Sequence, residues 1–297
     1  MMTRSATTWL GFLALVLFGI GAAASAQAAS PTPISACPYT ISAPGNYTVT
    51  RNLTASGNCI IIAANSITID LQGHTITGNG VGIGVGNNSD DFAHQHIIIA
   101  NGTIRKFDNG ISGNIGLVTI ANMTVGDNTG NGINTGNFGT VVDTVASWNG
   151  LAGITGQGGL ISGVQADHNA FRGMVLQFMV ISNSEANDNG DIGIWALDSS
   201  VLATTAKRNA SDGFMLVGDI NLIDDSTASG NGGNGISMLD AGGGRNSATN
   251  NVANNNAEAG FALGCPAHAF GNTAINNPGG NLVTTDNTCL LLDNKTH

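Results

Sequence analysis

From residue 132 onward a glycine recurs about every twenty residues, and an asparagine stands four positions ahead of each one. The glycines are Gly132, Gly153, Gly173, Gly193, Gly213, Gly235, Gly260 and Gly280. Their asparagines are Asn128, Asn149, Asn169, Asn189, Asn209, Asn231, Asn256 and Asn276. A bulky apolar residue follows every one of these glycines except the last. One repeat of this length is a single supersecondary unit that cannot bury its apolar face alone, so the period predicts a stacked solenoid.

The residues between the glycines say how one turn is built. Around Gly173, Ile161, Val164 and Ala166 precede and Met174 and Leu176 follow; Ile181, Ser184, Ala186, Ile194 and Ala196 repeat the pattern one turn on. Short alternating pairs predict three brief strands per turn with alternate side chains inward. The fold class is therefore all-β, a single parallel β-helix of about ten rungs. The 43 glycines weigh against helix, and the regularly placed apolar residues, within 42% hydrophobic overall, weigh against disorder. The asparagine column is expected to form a buried hydrogen-bonded ladder where the chain turns sharply, because asparagine tolerates the left-handed conformation.

Residues 1–28 read as an export signal, with Arg4 before a short apolar stretch and Ala26-Gln27-Ala28 as the cleavage site. The stretch is shorter than the roughly eighteen residues a membrane span requires. The expected organisation is a cap and opening rung over 29–65, repeats over 66–264, and a last rung and cap over 265–297. The mature chain is expected to be periplasmic or extracellular, monomeric and without a membrane span. Its net charge of −10, one unit more negative without Arg4, argues against nucleic-acid and anionic-lipid partners. Asn209-Ala210-Ser211 matches a glycosylation acceptor, but its asparagine belongs to the inward ladder, which favours a bacterial origin.

The four cysteines flank the repeats. Cys37 and Cys59, and Cys265 and Cys289, are each separated by about one turn. Stacked turns lie about 4.8 Å apart, within disulfide reach, so these pairs are expected to bond. Metal ligation is the alternative, disfavoured by the lack of close Cys-x-x-Cys spacing.

With this grammar, and with the opening segment from Pro44-Gly45-Asn46-Tyr47 to Gly73-His74-Thr75-Ile76, the chain resembles the right-handed parallel β-helix proteins of the pectin-lyase-like superfamily over roughly residues 37–290. The resemblance implies a right-handed coil and, for some members, lyase, hydrolase or epimerase activity on polysaccharides. The motifs of those reactions are mostly missing. Ser211-Asp212-Gly213 and Asp224-Asp225 echo polygalacturonase segments, but no Gly-His-Gly or Asp-Pro-His occurs.

Three surface groups are candidate sites. The column just before the ladder reads Arg105, Asp127, Trp148, His168, Asp188, Arg208, with Arg105 needing a one-residue shift. In it His168, Asp188 and Arg208 form a candidate catalytic set, His168 as base held by a carboxylate, and Trp148 is a platform for a sugar face. The outward column after the glycines, Thr155, Val175, Trp195, Met215 and Ser237, contains an apolar strip, Val175, Trp195 and Met215, that is either a carbohydrate platform or a covered interface. A long step between Gly82 and Gly110 holds Asp90, Asp91, His94 and His96, a candidate zinc or copper site. Three functions follow: a carbohydrate-binding or structural exported module, a polysaccharide-active enzyme, and a periplasmic metal-handling protein. The first is preferred; it requires no cofactor, although a divalent cation has a role if the ligand is acidic.

Overall fold

The computed structural model describes residues 30–87, 94–112, 115–239 and 244–296, without the side chains of His94 and Ile115. Residues 1–28, read as an export signal, lie outside the described residues. No helix occurs among the described residues, and the chain forms a parallel β-solenoid.

Each turn lays down three strand segments that pair in parallel with the same segments of the turns on either side. Face A begins with Tyr39–Ile41 and ends with Gly280–Thr284, and its continuous register makes about twelve turns. The opening turns supply the excess over the expected ten: they pair fully although Phe107 stands where the ladder would have an asparagine, and the glycine column reaches back to Gly110 and Gly84. Face B follows face A in each turn, as in Met174–Ser182, a strand that runs through both. Face C, for example Glu185–Asn187 and Thr205–Lys207, closes the turn.

Side chains pile up like on like in the interior. Ile161, Ile181, Val201 and Ile223 form one buried column, and Ala146, Ala166, Ala186, Ala206, Ala228 and Ala253 another. A third holds Ile154, Met174, Ile194, Phe214 and Ile236. Because each turn buries its apolar side chains only against its neighbours, stability is a sum over contacts between turns. The two ends are stapled as expected: Cys37 is bonded to Cys59 and Cys265 to Cys289, with Cα separations of 4.6 and 5.0 Å.

The asparagine ladder explains the glycine column. Asn189 Nδ2 donates to Ala166 O on the turn before (2.9 Å) and to Asn209 Oδ1 on the turn after (2.9 Å), while Asn209 Oδ1 also accepts from the Asn189 backbone N–H (3.1 Å). The same pattern links Asn149, Asn169, Asn209 and Asn231 to their neighbours. A methyl group on Gly193 would sit 2.6 Å from Asn209 Nδ2, and one on Gly173 would sit 2.8 Å from Asn189 Nδ2. Glycine is required there by the close approach of the next turn, both its ladder amide and the carbonyl of its own column glycine (Gly213 O at 2.6 Å and Gly193 O at 2.5 Å), since neither residue has a positive φ. The spacing of four therefore records a contact between turns.

Two expectations about this column need correction. The left-handed residues are not the ladder asparagines but those immediately before them: Lys106, Asp127, Trp148, His168, Asp188, Arg208, Asn255 and Asn276, with φ between 52° and 60°. The left-handed residue turns the chain and points outward, so that its successor points in. Lys106, and not Arg105, thus occupies the outward column. The last ladder member is Asn277, buried and bonded to Asn256, whereas Asn276 is exposed. Register pairs Ala259 with Gly280 and Phe261 with Leu282, which puts Asn281 in the glycine column above Gly260. There it accepts from Asn277 (2.9 Å) and ends the ladder.

A further buried polar group lies beside the ladder. Asp212 accepts from the Asn234 backbone N–H (2.7 Å) and from Asn234 Nδ2 (3.2 Å). Burial, the largest influence, still pushes its carboxyl above the ordinary aspartate range.

Two predictions follow from these bonds. Asn189→Ala strands the donors of Asn169 and should cost about 2–5 kcal/mol, read as a clear drop in Tm, whereas Asn276→Gly, which suits the left-handed backbone, should leave Tm nearly unchanged. Because the folded state holds the Asp212 proton more tightly than the unfolded chain does, the penalty for its charge is complete above the raised folded pKa. It vanishes below the unfolded value of about 3.9. Asp212→Asn should therefore raise Tm at pH 7 and lose that advantage near pH 3, as thermal melts across the range would report.

Candidate functional site

The corner between faces C and A carries the first candidate set. Backbone bonds from Trp148 to Asp167, His168 to Asn187, Asp188 to Lys207 and Arg208 to Ser229 put Trp148, His168, Asp188 and Arg208 on consecutive turns. All four have left-handed backbone, which throws their side chains outward. They associate as two pairs. The Trp148 and His168 rings stack at 4.4 Å between centroids with a 16° interplanar angle. Asp188 accepts from Arg208 Nε (2.8 Å) and Nη2 (2.7 Å), a fork that occupies both carboxylate oxygens. The guanidinium holds the Asp188 carboxyl below the usual range. Asp188 is thus aimed at Arg208 and His168 at Trp148.

Beside this corner, on face C, Asp167 behaves in the opposite way. Burial raises its pKa, the hydrogen bond from the Asn187 backbone N–H (2.8 Å) lowers it, and the neighbouring carboxylate of Glu185 raises it again. A half-buried acid with a raised pKa holds its proton more tightly than an ordinary aspartate, the property a proton donor needs.

Face A carries the second set. Thr155 pairs with Val175, Val175 with Trp195, Trp195 with Met215 and Met215 with Ser237, so the expected column is continuous. Val175, Trp195 and Met215 are half-buried and Ser237 is buried. Arg172 reaches over from the corner, its Cζ 4.8 Å from the Phe171 ring centroid and 6.0 Å from that of Trp195, while its Nε bonds Asp191 at 2.9 Å. The last described strand, Lys295–Thr296, pairs on face C with Thr273 and Ala274, so that end of the chain does not cover the strip. Next to it runs a second outward column, Asn137, Gln157 and Gln177. No described residue bonds to these three side-chain amides, so they face solvent ready to donate and accept.

Sequence reasoning missed the far edge of face A. At the corner with face B stand Leu117, Phe138, Gly158, Phe178 and Asp198, all left-handed, with Phe138 65% and Phe178 51% exposed. The signal was the position five residues after the column glycine, which holds Gly158, Phe178, Asp198 and Gly218. A register shift between Asn134 and Asn137 moves Phe138 one place out of that pattern.

Of the expected metal set, the structure describes the side chain of His96 alone. Asp90 and Asp91 lie outside the described residues, as does the His94 side chain. His96 is exposed at the corner of faces A and B, in a cleft of about 280 Å³ with Ile98, Leu117 and Phe138. No group of three or more His, Cys, Asp or Glu positioned to hold a metal occurs among the described residues. A cleft of about 330 Å³ around Cys37, Pro38 and Asn58 lies at the N-terminal cap, far along the sequence from these groups.

Known proteins share this architecture. The A-module of mannuronan C-5 epimerase AlgE4 from Azotobacter vinelandii aligns with TM-score 0.55 at 18% identity, over 85% of each chain. The catalytic domain of a GH87 α-1,3-glucanase in complex with tetrasaccharides aligns with TM-score 0.56 at 11% identity, over 84% of this chain but only 63% of that one. The periplasmic alginate epimerase AlgG aligns with TM-score 0.53 at 13% identity, over 86% of this chain and 75% of its own. No curated protein matches the sequence. At these identities the likeness establishes fold alone. The family model described as right handed beta helix region matches residues 110–296, and the chain belongs to that family, a right-handed parallel β-helix of the pectin-lyase-like type.

Proposed function

We propose that this is an exported glycan-binding β-helix protein whose binding wall is face A between residues 133 and 217. The observation that carries the reading is the pairing of two outward columns. An apolar strip, Val175, Trp195 and Met215, continues along the axis from turns whose uncommitted amides, Asn137, Gln157 and Gln177, form the neighbouring column, and the two meet at Val175 and Gln177, two residues apart on one strand. A sugar presents the matching chemistry, with C–H faces for an aromatic ring and hydroxyls for amides. The Trp148 and His168 stack borders the wall at one corner. Disulfides at both ends suit an oxidising compartment outside the cytoplasm, and one structural neighbour is periplasmic. The polysaccharide-related neighbours support a glycan as the partner.

A second reading, a polysaccharide-active enzyme, is favoured by one observation, the raised acid Asp167 beside His168. In that reading Asp167 is the proton donor and His168 its partner. It lacks the Gly-His-Gly and Asp-Pro-His segments that the resemblance would require.

Calorimetric titration of the mature protein with neutral and acidic oligosaccharides, with and without calcium, separates the two. Binding should weaken at least about tenfold in Trp195→Ala, a loss of about 1.4 kcal/mol, with no product formed. Turnover that disappears in His168→Ala and Asp167→Asn would overturn the binding reading in favour of the enzyme. The calcium arm reports whether a divalent cation takes part.

A further inference from the structure

The corner between faces A and B holds a group that face A does not explain. Register makes Phe138, Gly158 and Phe178 one column, since Gly139 pairs with Gly159 and Gly159 with Met179. The two phenylalanines stand two turns apart, about 9.6 Å along the axis. Gly158 between them is buried, and a methyl group on it would lie 3.0 Å from Phe138 Cδ1. These three residues, with Asn137 and Gln157, line a cleft of about 310 Å³, at the small end of ligand sites.

Both phenylalanines are costly where they stand. Bulky residues rarely adopt left-handed backbone, and the strain is relieved by glycine, asparagine or aspartate. The same column holds His96 and Leu117 before Phe138, and uses Gly158, Asp198 and Gly218 at its other positions. Phe138 and Phe178 combine φ of 57° and 54° with largely exposed rings, so neither burial in the core nor backbone geometry accounts for them. Strain maintained without a structural return points to a function.

Resting on the glycan-binding reading, we infer that this slot is a subsite for a single pyranose ring of a neutral glycan, gripped between Phe138 and Phe178 and bonded by Asn137 and Gln157. The axial spacing puts a sugar ring seated at the level of Gly158 about 4.8 Å from the backbone level of each phenylalanine, and van der Waals contact follows where the aromatic rings lean toward it, as Phe138 does toward Gly158. The two amides have no partner among the described residues, and hydroxyls would satisfy them. An apolar surface, from lipid or from a second copy of the chain, would bury those amides unpaired at a penalty. Neutrality follows from charge: no lining residue is charged, the next position in the column is Asp198, and the protein carries −10 overall. A uronate in the slot would meet repulsion with no cation to offset it.

The test uses the mature protein with gluco-, manno- and galacto-configured tetrasaccharides and with mannuronate and galacturonate tetrasaccharides. Phe138→Asn and Phe178→Asn remove a ring while suiting the backbone, and Gly158→Asn fills the slot while keeping both rings. Each should weaken binding of a neutral tetrasaccharide at least tenfold, and the two Phe→Asn variants should keep or raise Tm. Undiminished neutral binding in all three, or uronates bound as tightly as neutral sugars and lost with the rings, would overturn the inference. So would a fall in Tm with sugar binding intact, which would mark the rings as structural, or a wild-type dimer that dissociates in Phe138→Asn with sugar binding intact. Binding lost in Trp195→Ala but untouched by the slot variants would overturn the slot and leave the wall standing. No binding by any sugar would overturn both.

Discussion

A parallel coil has one recurring problem: at each corner the ladder between turns breaks, and a backbone N–H faces the interior with no carbonyl opposite. Burying it unpaired is expensive, and this chain answers in one way at all three corners. A left-handed residue turns the chain outward, and the next residue points in with an oxygen that accepts the N–H of the turn before. Between faces C and A the acceptor is asparagine, as in Asn169 N–H to Asn189 Oδ1 at 3.0 Å. Between faces B and C it is Ser184 for Val164, Ser226 for Thr204 and Asn251 for Ser226. Between faces A and B it is Ser199 for Met179 and Asn221 for Ser199, with Asn221 standing three residues after the positive-φ Gly218 and not directly after it. The register of the whole coil depends on these bonds, because each requires the next turn to lie directly over the last.

The same device frees the surface. The left-handed position needs only to point outward, so its side chain is released from the core, and the chain has placed there a tryptophan, a histidine, an ion pair and two phenylalanines. Glycine or asparagine would serve the turn better, and several turns use them. The corners that flank face A therefore add side chains of distinct chemistry on either side of the outward columns of that face. The scaffold holds these side chains on strand ends, where packing between turns limits their movement.

How much of this was legible depended on whether a residue type has one reason or several. The Asn-to-Gly spacing was legible because one contact, the Asn209 amide over Gly193, demands both residues at once. The left-handed position was misread by one residue because asparagine is itself a residue that favours such backbone. At the last turn a glycine, Gly280, lies one place from the column position held by Asn281, and it drew the ladder onto Asn276. The strip of Val175, Trp195 and Met215 was legible from period alone. Phe138 and Phe178 were not, since a phenylalanine among glycines reads as core until register and exposure are known, and the shift at Asn134 conceals their alignment. Asp167 required burial to be seen as unusual.

The choice of acceptor also changes along the axis, with a mechanical consequence. At the corner of faces B and C the acceptors are Thr144, Ser184 and Ser226, then Asn251, Asn272 and Asn294. A hydroxyl spends its own proton within its turn, as Ser184 Oγ does on Ser182 O at 2.7 Å, and so links two turns. An asparagine has two protons left to give. Asn251 Nδ2 donates to Ile223 O on the turn before (3.0 Å) and to Asn272 Oδ1 on the turn after (3.0 Å), tying three turns together. In a solenoid the terminal turns have a neighbour on one side only and fray first. Substituting asparagine for serine toward the C-terminal end strengthens the coupling where one stacking partner is about to be lost, and the bond between Cys265 and Cys289 closes the same region covalently. The middle turns, supported from both sides, can use the simpler hydroxyl acceptor and carry the strained aromatic corners beside it.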